Sequence, residues 1–173
     1  MKGCLIACAT AFLLNALTLT AQTKMERVVE IKNGDGKSVG TISVWSQDRG
    51  VGLELHLHDL TPGDHALHFH QNAKCEGPDF KSAGGHFNPE SKKHGFDSPD
   101  GHHAGDMKNF TVNSDGKADG VRLATTEVNF GDDSHSLFSN GGTAIVVHAK
   151  ADDYKTDPSG NSGDRVACGV ISK

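Results

Sequence analysis

The 173-residue sequence lacks several features that mark common functional classes. Its 17 lysines and arginines form no run, and the formal charge is −5 at pH 7, which argues against binding to a nucleic-acid backbone. No stretch keeps a helical period, aromatic residues are only 6%, and glycine is plentiful at 21 residues. That is about 12% of the chain against roughly 7% in average proteins, so we expect many short strands joined by turns rather than a helical bundle.

No apolar run is long enough to suggest a stable membrane span, because the one candidate, residues 5–19, is short and interrupted by polar residues. Together with a basic start and the small residue Ala21, it gives residues 1–21 the form of a secretory signal peptide. We expect cleavage near Ala21; a lipid anchor at Cys8 is not favoured, since almost no hydrophobic segment precedes it. Residues 22–173 then form one domain with a charge of −6, because the leader carries a single lysine.

Cysteine is scarce in the predicted mature chain, which keeps only Cys75 and Cys168. An even pair in an oxidising compartment favours a disulfide, and two free thiols are the alternative. The bridge would close a loop of about 94 residues, for which chain-entropy arguments give on the order of 4–5 kcal/mol.

Alternation of apolar and polar residues predicts about eight strands. The clearest is the region 51–58, where Val51 and three leucines alternate with polar residues and glycine. The other candidate strands are residues 27–32, 39–45, 65–70, 107–112, 117–124, 144–150 and 166–172. The sequences Asn-Gly-Asp-Gly at 33–36 and Asn-Ser-Asp-Gly at 113–116 are typical of hairpin turns. Since residues 71–106 and 151–165 are long polar loops, we predict an all-β antiparallel sandwich or barrel with two functional loops.

Histidine is the most unusual residue in number, with 11 in the chain. His68 and His70 lie two apart on a predicted strand, so both imidazoles project from one face. His56 and His58 share that spacing, but leucines occupy the buried face there, so we expect both to face solvent. The residues that could join the first pair are His86, His94, His103, Asp106 and His148. Imidazole suits zinc and copper, and one carboxylate among imidazoles is common at zinc, so this set predicts a metal site.

Several motifs in this order resemble those of the copper–zinc superoxide dismutases. They are GDHALHFH at 63–70, SAGGHFNP at 82–89, KHG at 93–95, HAGD at 103–106, VHAKADD at 147–153 and GDRVACGVI at 163–171. The resemblance runs from about Val39 to the C-terminus, and CEGPDF at 75–80 is similar to the bacterial exported branch. It implies a Greek-key β-barrel, a periplasmic or secreted location, and disproportionation of superoxide to dioxygen and hydrogen peroxide at copper and zinc, protecting the exported compartment.

Position by position, the resemblance implies two metal sites that share His86. The implied copper ligands are His68, His70, His86 and His148, and the implied zinc ligands are His86, His94, His103 and Asp106. The step of three residues to Asp106 selects His103 over its neighbour His102, which is the alternative ligand.

The resemblance also implies roles for residues beside the metals. Asp152 would hydrogen-bond one ligand of each metal, Arg165 would dock superoxide, and His86 would deliver a proton to the departing peroxide. The bridge between Cys75 and Cys168 would tie the metal-bearing loop to the last strand near Arg165.

The chain departs from the family pattern at two places. Ala66 and Leu67 stand where Gly-Phe is usual, and the segment 149–164 lacks the charged array of the eukaryotic members. Two rival hypotheses remain open, an exported copper- or zinc-binding protein without turnover and a structural domain that uses zinc as a staple. Superoxide is the only partner that the sequence implies, and both a monomer and a homodimer are compatible with it.

Overall fold

The computed structural model describes residues 24–173 and has an all-β fold. Its nine strands, in chain order, are β1 (Glu26–Asn33), β2 (Ser38–Ser46), β3 (Val51–Leu57), β4 (Gly63–His65), β5 (Leu67–His70), β6 (Phe110–Val112), β7 (Ala118–Thr125), β8 (Thr143–His148) and β9 (Arg165–Ile171). The described residues form no helix other than short 3-10 turns at Lys81–Ala83 and Ser139–Gly141, and no helix there could cross a membrane. The predicted signal peptide, its cleavage site and Cys8 lie outside the described residues.

Seven strands form one antiparallel sheet in the order β5-β8-β9-β1-β2-β3-β7, and β4 and β6 form a small second sheet. The hairpin predicted at 33–36 joins β1 to β2, and Gly36 N donates to Asn33 O at 2.9 Å across it. The strands β5 and β8 pair with each other at one edge of the large sheet. The predicted first histidine pair lies on β5 and His148 ends β8, so this pairing brings them together.

Alternation along β3 separates the core from the solvent. Val51, Leu53, Leu55 and Leu57 are at most 2% exposed, whereas His56 between them is exposed. Burial of such a side chain contributes about 1.5–3 kcal/mol, so the seven-stranded sheet has ample apolar contact on its inner face. The all-β antiparallel fold predicted from this alternation is confirmed.

The edge strand β5 is covered by the long loop that follows it. Phe69 N donates to Gly105 O at 2.9 Å and Phe69 O accepts from Phe87 N at 2.8 Å, so the loop pairs with β5 as a strand would. A β-carbon at Gly105 would collide with the backbone oxygen of Phe69, which explains the glycine. This pairing satisfies the free edge and carries loop residues over the histidines of β5.

The single strand predicted at residues 65–70 is wrong in detail. The segment 65–70 is two strands, because His65 pairs with Phe110 in the small sheet and Leu67 pairs with Val147 in the large one. Between them Ala66 is fully buried, with its N–H and carbonyl both hydrogen-bonded, so a β-carbon is accommodated there.

The turn at 113–116 forms, but its flanking strands do not make a hairpin. β6 pairs with β4 and β7 pairs with β3, so the turn connects the two sheets. Only Phe110–Val112 of the predicted strand 107–112 is extended in a ladder. Alternation within a strand does not specify which partner the strand will choose, and this is where the prediction failed.

A disulfide joins Cys75 to Cys168, as the cysteine count predicts, with their Cα atoms 5.6 Å apart. It ties the loop after β5 to β9 across 93 positions of the chain. Cys168 packs with Phe80, Ala83 and Val146 in a small cluster of its own, beside the main core.

We expect Cys75→Ser to lower the free energy of unfolding of the metal-free protein by about 2–4 kcal/mol, because the unfolded chain gains the entropy of a long open loop. Urea denaturation at several protein concentrations measures this. The double variant Cys75→Ser, Cys168→Ser is the control, since it removes the cross-link without leaving a free thiol. A single and a double variant that both unfold like the parent would contradict the expectation.

Candidate metal centre

Four buried histidines converge beside the edge of the large sheet, and we call them the four-histidine group. They are His68 and His70 on β5, His86 on the following loop and His148 at the end of β8. Their exposure is 0–7%, and the ring centroids of His68 and His86 are 4.0 Å apart. Each ring has one buried nitrogen without a hydrogen-bond partner in the described part of the chain, namely His68 Nδ1, His70 Nε2, His86 Nε2 and His148 Nε2. Buried polar atoms are nearly always paired, so this convergence of lone pairs fits a metal ion.

The opposite nitrogen of each of three rings is held by a hydrogen bond. His68 Nε2 donates to Asp152 Oδ2 at 2.8 Å, His70 Nδ1 donates to Gly84 O at 2.9 Å, and His148 Nδ1 lies 3.3 Å from Gly163 O. These bonds place the ring proton away from the convergence point. They therefore fix the tautomer that leaves a lone pair free for a metal.

A second group lies against the first, and we call it the His–Asp group. It consists of His86, His94, His103 and Asp106. Asp106 Oδ1 is 2.8 Å from His86 Nδ1, 3.1 Å from His94 Nδ1 and 3.3 Å from His103 Nδ1. Three imidazole nitrogens and one carboxylate oxygen are a donor set that zinc accepts in tetrahedral sites, so this group also fits a metal ion. His86 belongs to both groups, one through each ring nitrogen.

Backbone contacts orient the carboxylate of Asp106. Its Oδ2 accepts from Gly95 N at 2.9 Å and from His103 N at 3.1 Å, which leaves Oδ1 facing the three rings. His102 points elsewhere and packs on Phe96, with ring centroids 4.5 Å apart. The geometry therefore includes His103 in the group and leaves His102 out.

Asp152 connects the two groups. Its Oδ2 accepts from His68 Nε2 at 2.8 Å and its Oδ1 accepts from His94 Nε2 at 3.0 Å. The side chain of Asp152 is fully buried, and Gly160 lies so close to it that a β-carbon at position 160 would collide with Asp152 Oδ1. One side chain thus sets the orientation of a histidine in each group.

Burial keeps the rings of the four-histidine group neutral when no metal is bound. It lowers the pKa of His68 to about 4, of His86 to about 3 and of His148 to about 4, and it holds the pKa of His70 well below the ordinary value. A neutral imidazole binds a metal ion through its free nitrogen, so His68, His70 and His148 need lose no proton at pH 7. His86 would have to lose its ring proton to bind a metal through both nitrogens.

The carboxylates behave in the opposite way. Burial would raise the pKa of Asp106 and Asp152, but hydrogen bonds from the surrounding histidines hold both well below the usual range. Burial would lower the pKa of His94, yet its hydrogen bonds to these two carboxylates raise it to about 9. The two carboxylates and His94 therefore shift one another's pKa values in opposite directions, as an acid–base pair in close contact does.

Arg165, the first residue of β9, is tied to the loop beside the four-histidine group. Its guanidinium donates to Phe80 O at 2.8 Å and to Gly84 O at 2.7 Å. Gly84 O also accepts from His70 Nδ1, so one carbonyl joins the arginine to a histidine of the group. Arg165 is half-buried, and burial lowers its pKa, but a guanidinium remains charged at neutral pH.

Sequence reasoning named all seven residues of the two groups but missed several that hold them. His65 is 1% exposed, with Nδ1 2.6 Å from His148 O, although nothing in its spacing suggested a role. The sequence also did not predict the hydrogen bonds to Gly84 O or the close approach of Gly160 to Asp152, because neither contact depends on a side chain of the glycine. His56 and His58 are exposed, as expected.

Gly160→Ala should weaken metal binding at both groups by about 10–100-fold, the range seen when an outer partner of a ligand is lost. The new β-carbon would push Asp152 away from His68 and would lie 2.7 Å from His94 Nε2. Competition with a chelator measures each affinity. Gly120→Ala is the matched control, since its φ of +70° is similar to the +66° of Gly160 but no heavy atom lies within 4 Å. Equal losses in both variants would show that backbone strain alone is responsible.

Comparison with known proteins gives one consistent result. The family model described as "Copper/zinc superoxide dismutase (SODC)" matches residues 38–171. The chain is 41% identical over 145 residues to "Superoxide dismutase-like protein YojM" of Bacillus subtilis, covering 83% of this chain and 74% of that protein. It is 43% identical over 143 residues to "Superoxide dismutase [Cu-Zn] 1" of Aquifex aeolicus, covering 82% and 85%.

A solved structure agrees with these relatives. The crystal structure of a SOD-like protein from Bacillus subtilis matches with a TM-score of 0.80 and 41% identity, covering 83% of this chain and 97% of that one. The matched region contains both histidine groups, Asp152 and Arg165. The chain therefore belongs to the copper/zinc superoxide dismutase family.

Proposed function

We propose that this protein is an exported superoxide dismutase whose four-histidine group holds copper and whose His–Asp group holds zinc. The convergence of four unpaired ring nitrogens beside Arg165 is the observation that carries the proposal. A four-imidazole set suits copper, and the set with one carboxylate suits zinc. In the net reaction two superoxide ions and two protons give dioxygen and hydrogen peroxide.

Bound copper would supply one-electron redox chemistry, and zinc, which has no accessible redox step, would act through charge and structure. Arg165 binds the anionic substrate, because its guanidinium is a fixed, half-buried cation next to His70. His86 Nε2 would carry the proton that leaves with peroxide only while it is not a metal ligand. The His–Asp group fixes the other nitrogen of that ring, 2.8 Å from Asp106 Oδ1, so Nε2 keeps its direction through the cycle.

We further propose that residues 1–21 are removed and that residues 22–173 act as one domain in the periplasm or outside the cell. The bacterial relatives and the disulfide between Cys75 and Cys168 support an oxidising compartment. A monomer and a homodimer both remain compatible with the chain.

A metal-binding protein without turnover is the second candidate, because the Bacillus relative is named only superoxide dismutase-like. Such a protein would need the two groups but would have no use for Arg165 at its present position. The contacts of Arg165 with two loop carbonyls therefore favour the enzyme.

Metal analysis and a superoxide assay on the mature protein, loaded with copper and zinc, separate these functions. We expect one copper and one zinc per chain and rapid loss of superoxide. Both metals bound with negligible turnover would support the storage function. Failure to retain copper in the parent would contradict the assignment of the four-histidine group.

A further inference from the structure

Tyr154, the single tyrosine of the chain, occupies a special position two residues after Asp152. Its φ is +62°, a left-handed conformation that a non-glycine residue keeps only where surrounding contacts determine it. Its N–H donates to Asp152 Oδ1 at 2.6 Å, and its hydroxyl accepts from Asn109 N at 2.8 Å. The residue therefore touches both the bridging carboxylate and the chain that leaves the His–Asp group.

The side chain of Asn109 makes two hydrogen bonds to the backbone of Asp152. Its side-chain Nδ2 donates to Asp152 O and its Oδ1 accepts from Asp152 N, both at 2.9 Å. With the Tyr154 N–H on the carboxylate, Asp152 is fixed by three hydrogen bonds before it contacts any histidine. We call Asn109 and Tyr154 the clasp.

The clasp is itself packed against the loop of the His–Asp group. Tyr154 O accepts from Asp97 N at 3.0 Å, and the Tyr154 ring meets Phe96 edge-on with centroids 5.6 Å apart. Lys108 Nζ lies 4.0 Å from the Phe96 centroid and 4.6 Å from the Tyr154 centroid, so one ammonium joins both rings. These contacts hold the segment 149–164 against Phe96 and Asp97, in the loop that carries His94 and His103. We call this loop the zinc-side loop.

We propose that Asn109 and Tyr154 are positioning residues for the metal pair. They hold Asp152 in the orientation at which its two oxygens reach His68 and His94, so both metal groups depend on one clasp. Neither residue reaches the convergence points of the ring nitrogens, so their effect on the four-histidine group passes through Asp152. The inference rests on the proposed metal assignment.

Tyr154→Phe tests the clasp because it removes only the hydroxyl that accepts from Asn109 N. The ring contacts with Phe96 and Lys108 are kept. We expect the affinities for copper and zinc to fall together by about 10-fold, the lower end of the effect of outer partners, and the copper spectrum to shift. Asn109→Ala should act in the same direction. Since both act through Asp152, the double variant should lose less than the sum of the two. Asn161→Ala is the matched control on the same loop, because its side chain bonds only Asp153 and Thr156.

A readout without metal keeps the inference separate from the proposed function. In the metal-free protein the Nε2 protons of His68 and His94 are hydrogen-bonded to Asp152, so their NMR signals should exchange slowly. Tyr154→Phe should speed that exchange, and Asn161→Ala should not. Metal binding that fails in the parent, with exchange still sensitive to Tyr154→Phe, would overturn the metal assignment and support the clasp.

Three results would overturn the clasp. The first is that Tyr154→Phe and Asn109→Ala bind both metals with parent affinity and spectrum, even if their melting temperatures fall. The second is loss of zinc affinity alone, which would confine the role to the zinc-side loop. The third is unchanged exchange of both ring protons.

Discussion

His86→Ala is expected to weaken the binding of both metals by more than about 100-fold and to abolish superoxide turnover. The expected loss of affinity exceeds the range of about 10–100-fold for a residue that only hydrogen-bonds a metal ligand. The reason is that His86 is the only residue that belongs to both groups. Its Nδ1 lies 2.8 Å from Asp106 Oδ1, and its Nε2 is one of the unpaired nitrogens of the four-histidine group. His70→Ala, the matched control, removes a ligand from the four-histidine group only, so copper affinity should fall while zinc affinity stays near that of the parent.

Equilibrium dialysis against a graded chelator measures both affinities, and the copper absorption spectrum reports the ligand field. The metal-free variants should be compared by circular dichroism first, so that a folding defect is recognised. His86→Ala with the zinc affinity and copper spectrum of the parent would disprove the shared ligand. Equal loss of zinc affinity in His70→Ala would show that the two groups are not separate sites.

The strands and the placement of His68 and His70 on one face could be predicted from the sequence for a shared reason. Period-two alternation in β3 reports a buried face directly, and the spacing of His68 and His70 on β5 puts two imidazoles on one side. In both cases the information lies in side chains that are close in sequence. Copper and zinc assignments came from the resemblance, since spacing alone does not distinguish them.

Contacts made by the backbone could not be predicted from the sequence. Gly84 O accepts from both Arg165 and His70, and the residue type at position 84 gives no sign of it. The pairing of β6 with β4 was not predicted, because the turn sequence at 113–116 is the same whether the two flanking strands pair with each other or join different sheets. The clasp was also missed, since Asn109 and Tyr154 meet only when two distant loops pack together.

Arg165→Glu is expected to lower the rate of superoxide disproportionation by about 10–10³-fold, the range over which charge focused in a cleft changes on-rates. The full chain has a formal charge of −5, so the average field repels an anion. A fast enzyme therefore needs a local positive charge near the four-histidine group. Arg165 supplies it on a half-buried side chain that two carbonyls hold in place.

A series of variants distinguishes charge from hydrogen bonding at this position. Arg165→Lys keeps the charge but loses the fork that reaches Phe80 O and Gly84 O, Arg165→Gln removes the charge, and Arg165→Glu reverses it. If charge dominates, the rates should fall in the order Lys, Gln, Glu. Lys155→Glu makes the same change in net charge on an exposed side chain near Asp97, and it should cost much less.

Salt dependence supplies the decisive measurement, because salt screens charges over about 10 Å at 0.1 M. In the parent the rate should fall as ionic strength rises, since screening weakens the attraction of Arg165 for superoxide. In Arg165→Glu the slope should flatten or invert, because screening now weakens a repulsion. Pulse radiolysis over a salt series, on variants with matched copper and zinc content, measures both. Equal rates and equal slopes for the parent and Arg165→Glu would show that Arg165 is a surface charge without a part in catalysis.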